Sequence, residues 1–149
     1  MRIPHRIVVA VAALSLIGAL PVVAASAKKP VNLAKKGIYV DNDPSHNVNV
    51  SVAAGATKVS SLSASCPSTA HEPGTITLKN IPITKSGTFK VNGTIKVAYF
   101  ESKPIKTKLK ITGTFHHGKV TGALTPTGTD GLCDAMKYSA KYYGNPKGG

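Results

Sequence analysis

Apolar residues alternate with polar ones along most of this chain, and this period of two restricts its fold more than any other feature. The segments NVNVSV (47 to 52) and IKVAY (95 to 99) each place their apolar side chains on one side of an extended backbone. In PIKTKLKITGTF (104 to 115) the apolar positions are Ile105, Leu109, Ile111 and Phe115. A strand with one buried face has this pattern, whereas a strand buried on both faces is apolar throughout. The alternation therefore predicts half-buried antiparallel strands.

Further segments share the pattern: GIYV (37 to 40), KVSSLSASC (58 to 66), TITLKNIPI (75 to 83), GTFKV (87 to 91), KVTGALT (119 to 125) and AMKYSAKYY (135 to 143). The last of them also fits helical spacing, so a short helix stays open there, although a strand is favoured. The alternation slips within SSLSAS and again across LKNIPI, which predicts β-bulges in those two segments.

Turn-forming residues lie between these segments at short intervals. The turn signals are DNDP (41 to 44), AAGA (53 to 56), HEPG (71 to 74), KSG (85 to 87), NG (92 to 93), HHG (116 to 118) and PTGTDG (126 to 131). Asn92-Gly93 is the sharpest, because this dipeptide favours the positive φ angles of a two-residue hairpin. Many short strands with such turns predict an all-β fold, an antiparallel β-sandwich or open barrel of about eight to nine short strands.

Two tripeptides recur without a fixed period: GTI at 74 to 76 and 93 to 95, and GTF at 87 to 89 and 113 to 115. We interpret each as a turn glycine, a β-prone threonine and the first core residue of a strand. The recurrence then reflects a similar sequence at the start of several strands and not a solenoid repeat.

The first 27 residues have the organisation of a secretory signal peptide. Arg2 and Arg6 precede a long apolar run, and Ala25-Ser26-Ala27 has the form of a cleavage site. An uncleaved membrane anchor is the alternative, since the apolar stretch is barely long enough to span a bilayer. We expect residues 1–27 to be removed and residues 28–149 to form one secreted domain, extracellular or retained in the cell envelope, without a transmembrane segment.

Both arginines of the chain lie in the predicted signal peptide, so that 17 lysines and six acidic residues remain, a net charge of +11. Arginine makes the bidentate contacts to phosphate and guanine on which specific nucleic-acid readers rely. A basic surface built from lysine alone predicts general attraction to anions, or a means of staying soluble. Sequence-specific nucleic-acid binding is therefore not expected.

Cys66 and Cys133 are the only cysteines. In an exported chain this even number favours one disulfide over two free thiols. Closing the long loop between them would remove about 4 kcal/mol of unfolded-state entropy. A metal site using both thiolates would need further ligands, and no such cluster accompanies either cysteine.

The order GIY, Cys66, GTFKV, ITGTF, GKVTG, GLCD and KYSAKY resembles a group of small exported β-sandwich proteins of unknown function from high-GC Gram-positive bacteria. The resemblance covers most of the chain after the signal peptide. It implies a β-sandwich with a disulfide between the two cysteines. It transfers no catalytic or binding residue.

Catalytic motifs are scarce in this sequence. There is no G-x-S-x-G, and His71-Glu72 is followed by Pro-Gly, which is turn chemistry and not the start of H-E-x-x-H. The six acidic residues are scattered over turns, where two of them have no evident reason to face each other as in a glycosidase. Enzymatic activity is therefore not favoured, and a hydrolase whose site assembles from distant residues remains the alternative.

Asp41, Asp43 and His46 are the best metal-binding candidates, because three ligand types fall within DNDPSH. Calcium would require more oxygen ligands and zinc further ligands, so an Asx-type turn is the favoured interpretation. His116 and His117, at an expected hairpin tip, offer at most a weak surface site. No metal and no cofactor are expected.

Lys106, Lys108 and Lys110 alternate with apolar or small residues and therefore project from one face of their strand. This row is either the solvated side of the strand or a binding surface. We expect a monomeric, non-enzymatic exported protein that binds anionic envelope polymers weakly through such lysines. A protein-binding or inhibitory module acting through a loop such as HEPG or PTGTDG is a further alternative.

Overall fold

Eight β-strands account for nearly all regular structure in the computed structural model, which describes residues 31–69, 72–100 and 102–145. The strands are β1 Gly37–Val40, β2 Asn49–Val52, β3 Lys58–Cys66, β4 Gly74–Pro82, β5 Thr88–Ala98, β6 Ile105–His116, β7 Lys119–Pro126 and β8 Met136–Gly144. A 3₁₀ turn, Ala54–Ala56, lies between β2 and β3. The predicted signal peptide and its cleavage site lie outside the described residues.

The strands form a closed barrel in which each strand pairs antiparallel with its neighbour in the sequence and β1 also pairs with β8. The predicted antiparallel all-β fold is confirmed, but the expected sandwich is replaced by this closed barrel. A sandwich requires two sheets packed face to face, often with connections that cross between them. Here every connection joins adjacent strands, and the last strand meets the first, so the sheet has no terminal edge strand.

Alternate side chains of every strand point into the barrel and fill it. The inward positions hold buried valine, leucine, isoleucine and aromatic residues. Phe115 lies at the centre of an aromatic group, with ring centroids 5.3 Å from Tyr39 and 5.8 Å from Phe89. An eight-stranded barrel is just wide enough for side chains to fill its interior. The alternation seen in the sequence is thus the division between this interior and the solvated outer wall.

Residues 31–36, before β1, are held against the barrel. The side-chain amide of Asn32 donates a 3.0 Å hydrogen bond to the carbonyl oxygen of Ala56. The backbone N–H of Lys35 donates to the hydroxyl of Tyr39 over 2.9 Å, and Ala34 packs on the core. These contacts tie the segment to β1 and to the 3₁₀ turn.

The predicted disulfide is confirmed between Cys66, at the end of β3, and Cys133, in the segment between β7 and β8. The two Cα atoms lie 5.1 Å apart and the residues are separated by 67 positions. The backbone N–H of Asp134 also donates to the carbonyl oxygen of Pro67, and that of Thr69 to the carboxylate of Asp134, over 2.6 and 2.7 Å. The disulfide therefore joins two chain segments that hydrogen bonds also hold together.

The hairpin predicted at Asn92-Gly93 is wrong. These two residues lie inside β5, which pairs with β6 at ten consecutive positions without a shift in register. The turn before β5 is the one predicted at KSG (85 to 87), where the N–H of Gly87 donates to the carbonyl of Thr84 over 2.9 Å. The long ladder with β6 overrides the local turn preference. The interpretation of Gly93 and Gly113 as turn glycines is wrong for the same reason, since both lie within strands.

Two other sequence predictions are confirmed. Residues 136–144 form the strand β8 and not a helix. In β3 the register with β2 shifts so that Ser51 faces Ser61 while Val52 faces Val59, which leaves Ser60 as a bulge. In β4 the alternation changes phase at Asn80, which has a φ angle of 56°, but the register with β3 is the same on both sides of it, so the bulge predicted across LKNIPI is not confirmed.

Candidate polyanion-binding surface

The three lysines singled out in the sequence share the outer face of β6. Lys106, Lys108 and Lys110 are exposed, whereas Thr107 and Leu109 between them are buried. Side chains two positions apart on a strand are separated by about 6.6 to 6.8 Å along it. The row is therefore a regular line of ammonium groups on the outside of the barrel.

The neighbouring strand widens this row. In the register of β5 with β6, Lys96 lies opposite Lys106, and Lys90 lies opposite Thr112, one step beyond Lys110. Lys90 and Lys96 are both exposed. The resulting surface, which we call the lysine face, consists of Lys90, Lys96, Lys106, Lys108 and Lys110.

Sequence reasoning missed the β5 half of the lysine face because the hairpin predicted at Asn92-Gly93 divided this strand in two. Lys90, Asn92, Thr94 and Lys96 in fact keep one period of two through the dipeptide. That uninterrupted polar alternation was the available signal. It places both lysines on the same side of one long strand.

Lys96 and Lys106 are like charges directly opposite each other on neighbouring strands, an arrangement that destabilises a sheet. Directly opposite side chains have Cβ atoms about 4.5 to 5.5 Å apart. Along β6 the repulsion between successive lysines is only about 0.6 kcal/mol in water before salt screening. The fold tolerates the lysine face because its ammonium groups reach solvent.

No lysine in the described parts of the chain has a carboxylate within 4.0 Å; the ion pairs there join His46 to Asp41 and Asp43. The positive charge of the lysine face is therefore not neutralised by ion pairs within the barrel. An anion that approached this face would meet several ammonium groups without first displacing a bound carboxylate.

An open depression of about 350 Å³ lies at one end of the lysine face. Lys106, Lys108, Thr94 and Thr129 line it with ammonium and hydroxyl groups, and Asp130 contributes a carboxylate. The two ammonium groups and the hydroxyl groups favour an anionic group there, whereas the carboxylate of Asp130 opposes one.

Asp130 is fixed in this depression by a buried partner. The hydroxyl of Thr107, only 2% exposed, lies 2.7 and 2.9 Å from the two carboxylate oxygens of Asp130. The N–H of Leu132 donates to the same carboxylate over 3.2 Å, and that of Thr127 donates to the carbonyl of Lys108 over 2.9 Å. These bonds hold the segment after β7 against β6 and so define one wall of the depression.

The segment DNDPSH forms the predicted Asx-type turn. The N–H of Asp43 donates to the side chain of Asp41 over 3.1 Å, and the N–H of Ser45 to the side chain of Asp43 over 2.9 Å. Hydrogen bonds from the side chain and the backbone of Ser45 lower the pKa of Asp43. Asp41 also accepts from the N–H of Ser139 on β8 over 3.2 Å, and His46 Nδ1 lies 3.4 Å from it. The carboxylates therefore serve the turn and its attachment to β8.

Metal-ligand geometry is not found among the described residues, in which no group of three or more His, Cys, Asp or Glu side chains is arranged to hold an ion. His116 and His117 are exposed at the turn between β6 and β7, as predicted. The ring of His116 lies 2.9 Å from the hydroxyl of Thr121. His71 lies outside the described residues.

The chain has no match among protein-family models, curated proteins or solved structures. Within the described ranges there is no helix with the length and apolar character needed to cross a membrane. The lysine face must therefore be judged by its own geometry and charge.

Proposed function

We propose that this protein is exported and non-enzymatic, and that it binds anionic polymers of the cell envelope through the lysine face. The observation that carries the proposal is the placement of Lys96 directly opposite Lys106 within a row of exposed lysines that have no carboxylate partner. A strand face that served solubility alone would gain from mixed charges or hydroxyl groups, because opposed like charges weaken a sheet.

Binding would be general and electrostatic. Each ammonium is a point charge without the planar fork by which arginine selects a phosphate or a base. Phosphate, sulfate and carboxylate polymers therefore compete for the same face, and each contact displaces a counterion from the polymer. If all the lysines of the face engage, the logarithm of the affinity should fall against the logarithm of salt concentration with a slope of about −4.

The first 27 residues and the disulfide support the export part of the proposal. A basic start, an apolar run and an A-x-A site are typical of a secreted chain. A disulfide between Cys66 and Cys133 persists in an oxidising compartment outside the cytosol. An exported protein would meet the anionic polymers of the envelope there.

The test compares two triple variants of equal net charge. Lys96→Ser, Lys106→Ser and Lys110→Ser remove lysines from the face, whereas Lys58→Ser, Lys137→Ser and Lys141→Ser remove exposed lysines elsewhere. Binding to polyglycerol phosphate, heparin and DNA is measured from about 50 to 300 mM NaCl. We expect the first variant to bind weakly, with a slope of log affinity against log salt concentration that is shallower by about 2 to 3. The second variant should retain most of the affinity and most of the slope.

Equal losses in both variants would show that net charge acts without a defined face. Absence of binding by the unmodified protein at the lowest salt concentration would overturn the proposal. Tight binding that ignores salt would also contradict it, because counterion release would then contribute nothing.

A further inference from the structure

The barrel wall is incompletely paired between β4 and β5. These strands pair only at Thr75 with Ala98 and at Ile76 with Val97. At the other end, the N–H of Thr84 donates to the carbonyl of Thr88 over 2.8 Å. Between these points, residues 77–82 of β4 and 89–96 of β5 have no ladder partner on each other's strand. We call this opening, closed at both ends, the seam.

Three local features explain why the seam does not close. Asn80 adopts a φ angle of 56°, which breaks the extended path of β4. Pro82 has no N–H to donate to a partner strand. On β5, Gly93 lies opposite the buried Leu109 of β6 but is itself exposed, and a Cβ built there would meet no atom within 4 Å. The wall thus has open space beside Gly93 where other strands bring side chains together.

The chemistry of the seam is apolar at its floor and basic at its rim. It forms a depression of about 360 Å³. Leu78 and Val91 are half-buried and pack against the core, while Lys79 and Lys90 are exposed above them. No acidic residue lines the depression. Along both strands, alternate backbone N–H and C=O groups face the gap without a strand partner.

We propose that the seam accepts an extended acidic segment of a partner protein as an added β-strand. Unpaired strand edges offer backbone hydrogen bonds to an incoming peptide, and alternate side chains then select its sequence. Lys79 and Lys90 favour acidic side chains on the outer side of that peptide, while Leu78 and Val91 favour small apolar side chains on the inner side. Polysaccharides and nucleic acids would meet the lysines but cannot continue the ladder of peptide groups.

Charge does not favour the terminal residues outside the described ranges as this occupant, because 1–30 and 146–149 contain no acidic residue. A second copy would bring another pair of lysine-flanked edges to the same place, where like charges repel. A separate acidic partner is the occupant that charge complementarity selects. This site is distinct from the lysine face, with which it shares only Lys90.

The experiment uses the peptide acetyl-(Glu-Val)4-amide as the probe and a copy of it N-methylated at alternate amides. Amide hydrogen exchange of the protein is followed by NMR with each peptide, in about 0.5 M NaCl so that electrostatic attraction is screened. We expect the unmodified peptide to slow exchange of seam-facing amides in 77–82 and 89–96 at least tenfold. The N-methylated peptide should give no protection, because its methyl groups keep it from lying close enough to the strand edges to accept hydrogen bonds from those amides.

Side-chain selection is tested with Lys79→Ser combined with Lys90→Ser, against Lys137→Ser combined with Lys141→Ser. Because exposed ion pairs are weak, the first pair of substitutions should weaken peptide binding at least about twofold at low salt. The control pair should leave it unchanged.

Equal protection by both peptides, or none by the unmodified peptide, would overturn the proposal. So would seam amides that are already as protected in the free protein as those of β6, since the seam would then be closed. Binding of heparin or polyglycerol phosphate is measured separately. If the peptide does not bind the seam, the proposed function of the lysine face is therefore unaffected.

Discussion

The hydroxyl of Tyr138 on β8 donates a 2.7 Å hydrogen bond to the carbonyl oxygen of Thr112 on β6, reaching across the strand between them. Gly113 on β6 pairs with Gly122 on β7, and Gly122 pairs with Tyr138. A Cβ on Gly122 would collide with the phenol group and with the carbonyl of Thr112. The paired glycines therefore make room for the tyrosine to lie against the inner wall of the barrel.

Gly122→Ala should destabilise the barrel by about 1 to 3 kcal/mol, because the added methyl group overpacks the space held by Tyr138. Gly128→Ala is the matched control, since a Cβ there would meet its neighbours at ordinary contact distances of 3.4 Å and more. Urea unfolding followed by circular dichroism measures both. A Gly122→Ala protein as stable as the control would contradict the proposed role of the glycine pair.

Tyr138 should make the protein less stable in alkali. Burial raises the pKa of Tyr138 far above its ordinary value. As pH rises above about 10, the unfolded chain loses this proton while the folded chain retains it, so the free energy of unfolding falls. Its stabilising contribution is complete below that pH.

The variant Tyr138→Phe tests this dependence. Because it lacks the hydrogen bond to Thr112, its free energy of unfolding at neutral pH should be lower by about 1 kcal/mol. Above about pH 10 its stability should decline less steeply than that of the unmodified protein. Burial also raises the pKa of Tyr39, so part of the alkaline decline should remain. Identical slopes for the variant and the unmodified protein would rule out Tyr138 as a source.

The contact between Thr107 and Asp130 predicts a coupled pair. Asp130→Ala leaves the buried hydroxyl of Thr107 without its acceptor. This should lower the free energy of unfolding by about 1 to 3 kcal/mol. In Thr107→Val the hydroxyl is gone, so a following Asp130→Ala should cost less. A double-mutant cycle in urea should give a coupling energy of at least about 0.5 kcal/mol. Additive effects would show that the bond contributes nothing.

In the turn at DNDPSH, the carboxyl group of Asp43 should titrate at a lower pH than a free aspartate. Hydrogen bonds from Ser45 depress the pKa of Asp43 in the folded state, so their contribution is present above the unfolded pKa and is lost as pH falls through the lower folded value. Ser45→Ala should raise the Asp43 pKa by removing the side-chain donor, while the backbone bond remains. NMR titration of the carboxyl carbon measures this, and an unchanged midpoint would contradict it.

Much of the fold could be predicted from alternation, because an inward or outward position is a local property of a strand. Closure of the barrel could not, since it depends on pairing of β1 with β8, and no local pattern specifies that meeting. The hairpin expected at Asn92-Gly93 failed because its local preference is weaker than ten consecutive pairs with β6. Gly113 was mistaken for a turn residue because Phe89 and Tyr138, whose rings it accommodates, are distant in sequence.

The candidate site shows the same division. The common face of Lys106, Lys108 and Lys110 could be predicted, because alternate residues of one strand point to the same side. That Lys96 lies opposite Lys106 depends on the register of β5 with β6. The position of Asp130 depends on a buried hydroxyl of another strand. Neither relation can be predicted from a short stretch of sequence, because each joins residues on different strands or loops.

Pairing of the first strand with the last also dictates when this protein can finish folding. Hairpins of neighbouring strands can form early in folding, because their contacts are local and fast to make. β1 retains one open edge until the nine residues of β8 arrive. Any chain that stops short of Met136 therefore exposes the free edges of β1 and β7, and such edges pair readily with other chains. Arrival of β8 is thus the step that removes these two edges.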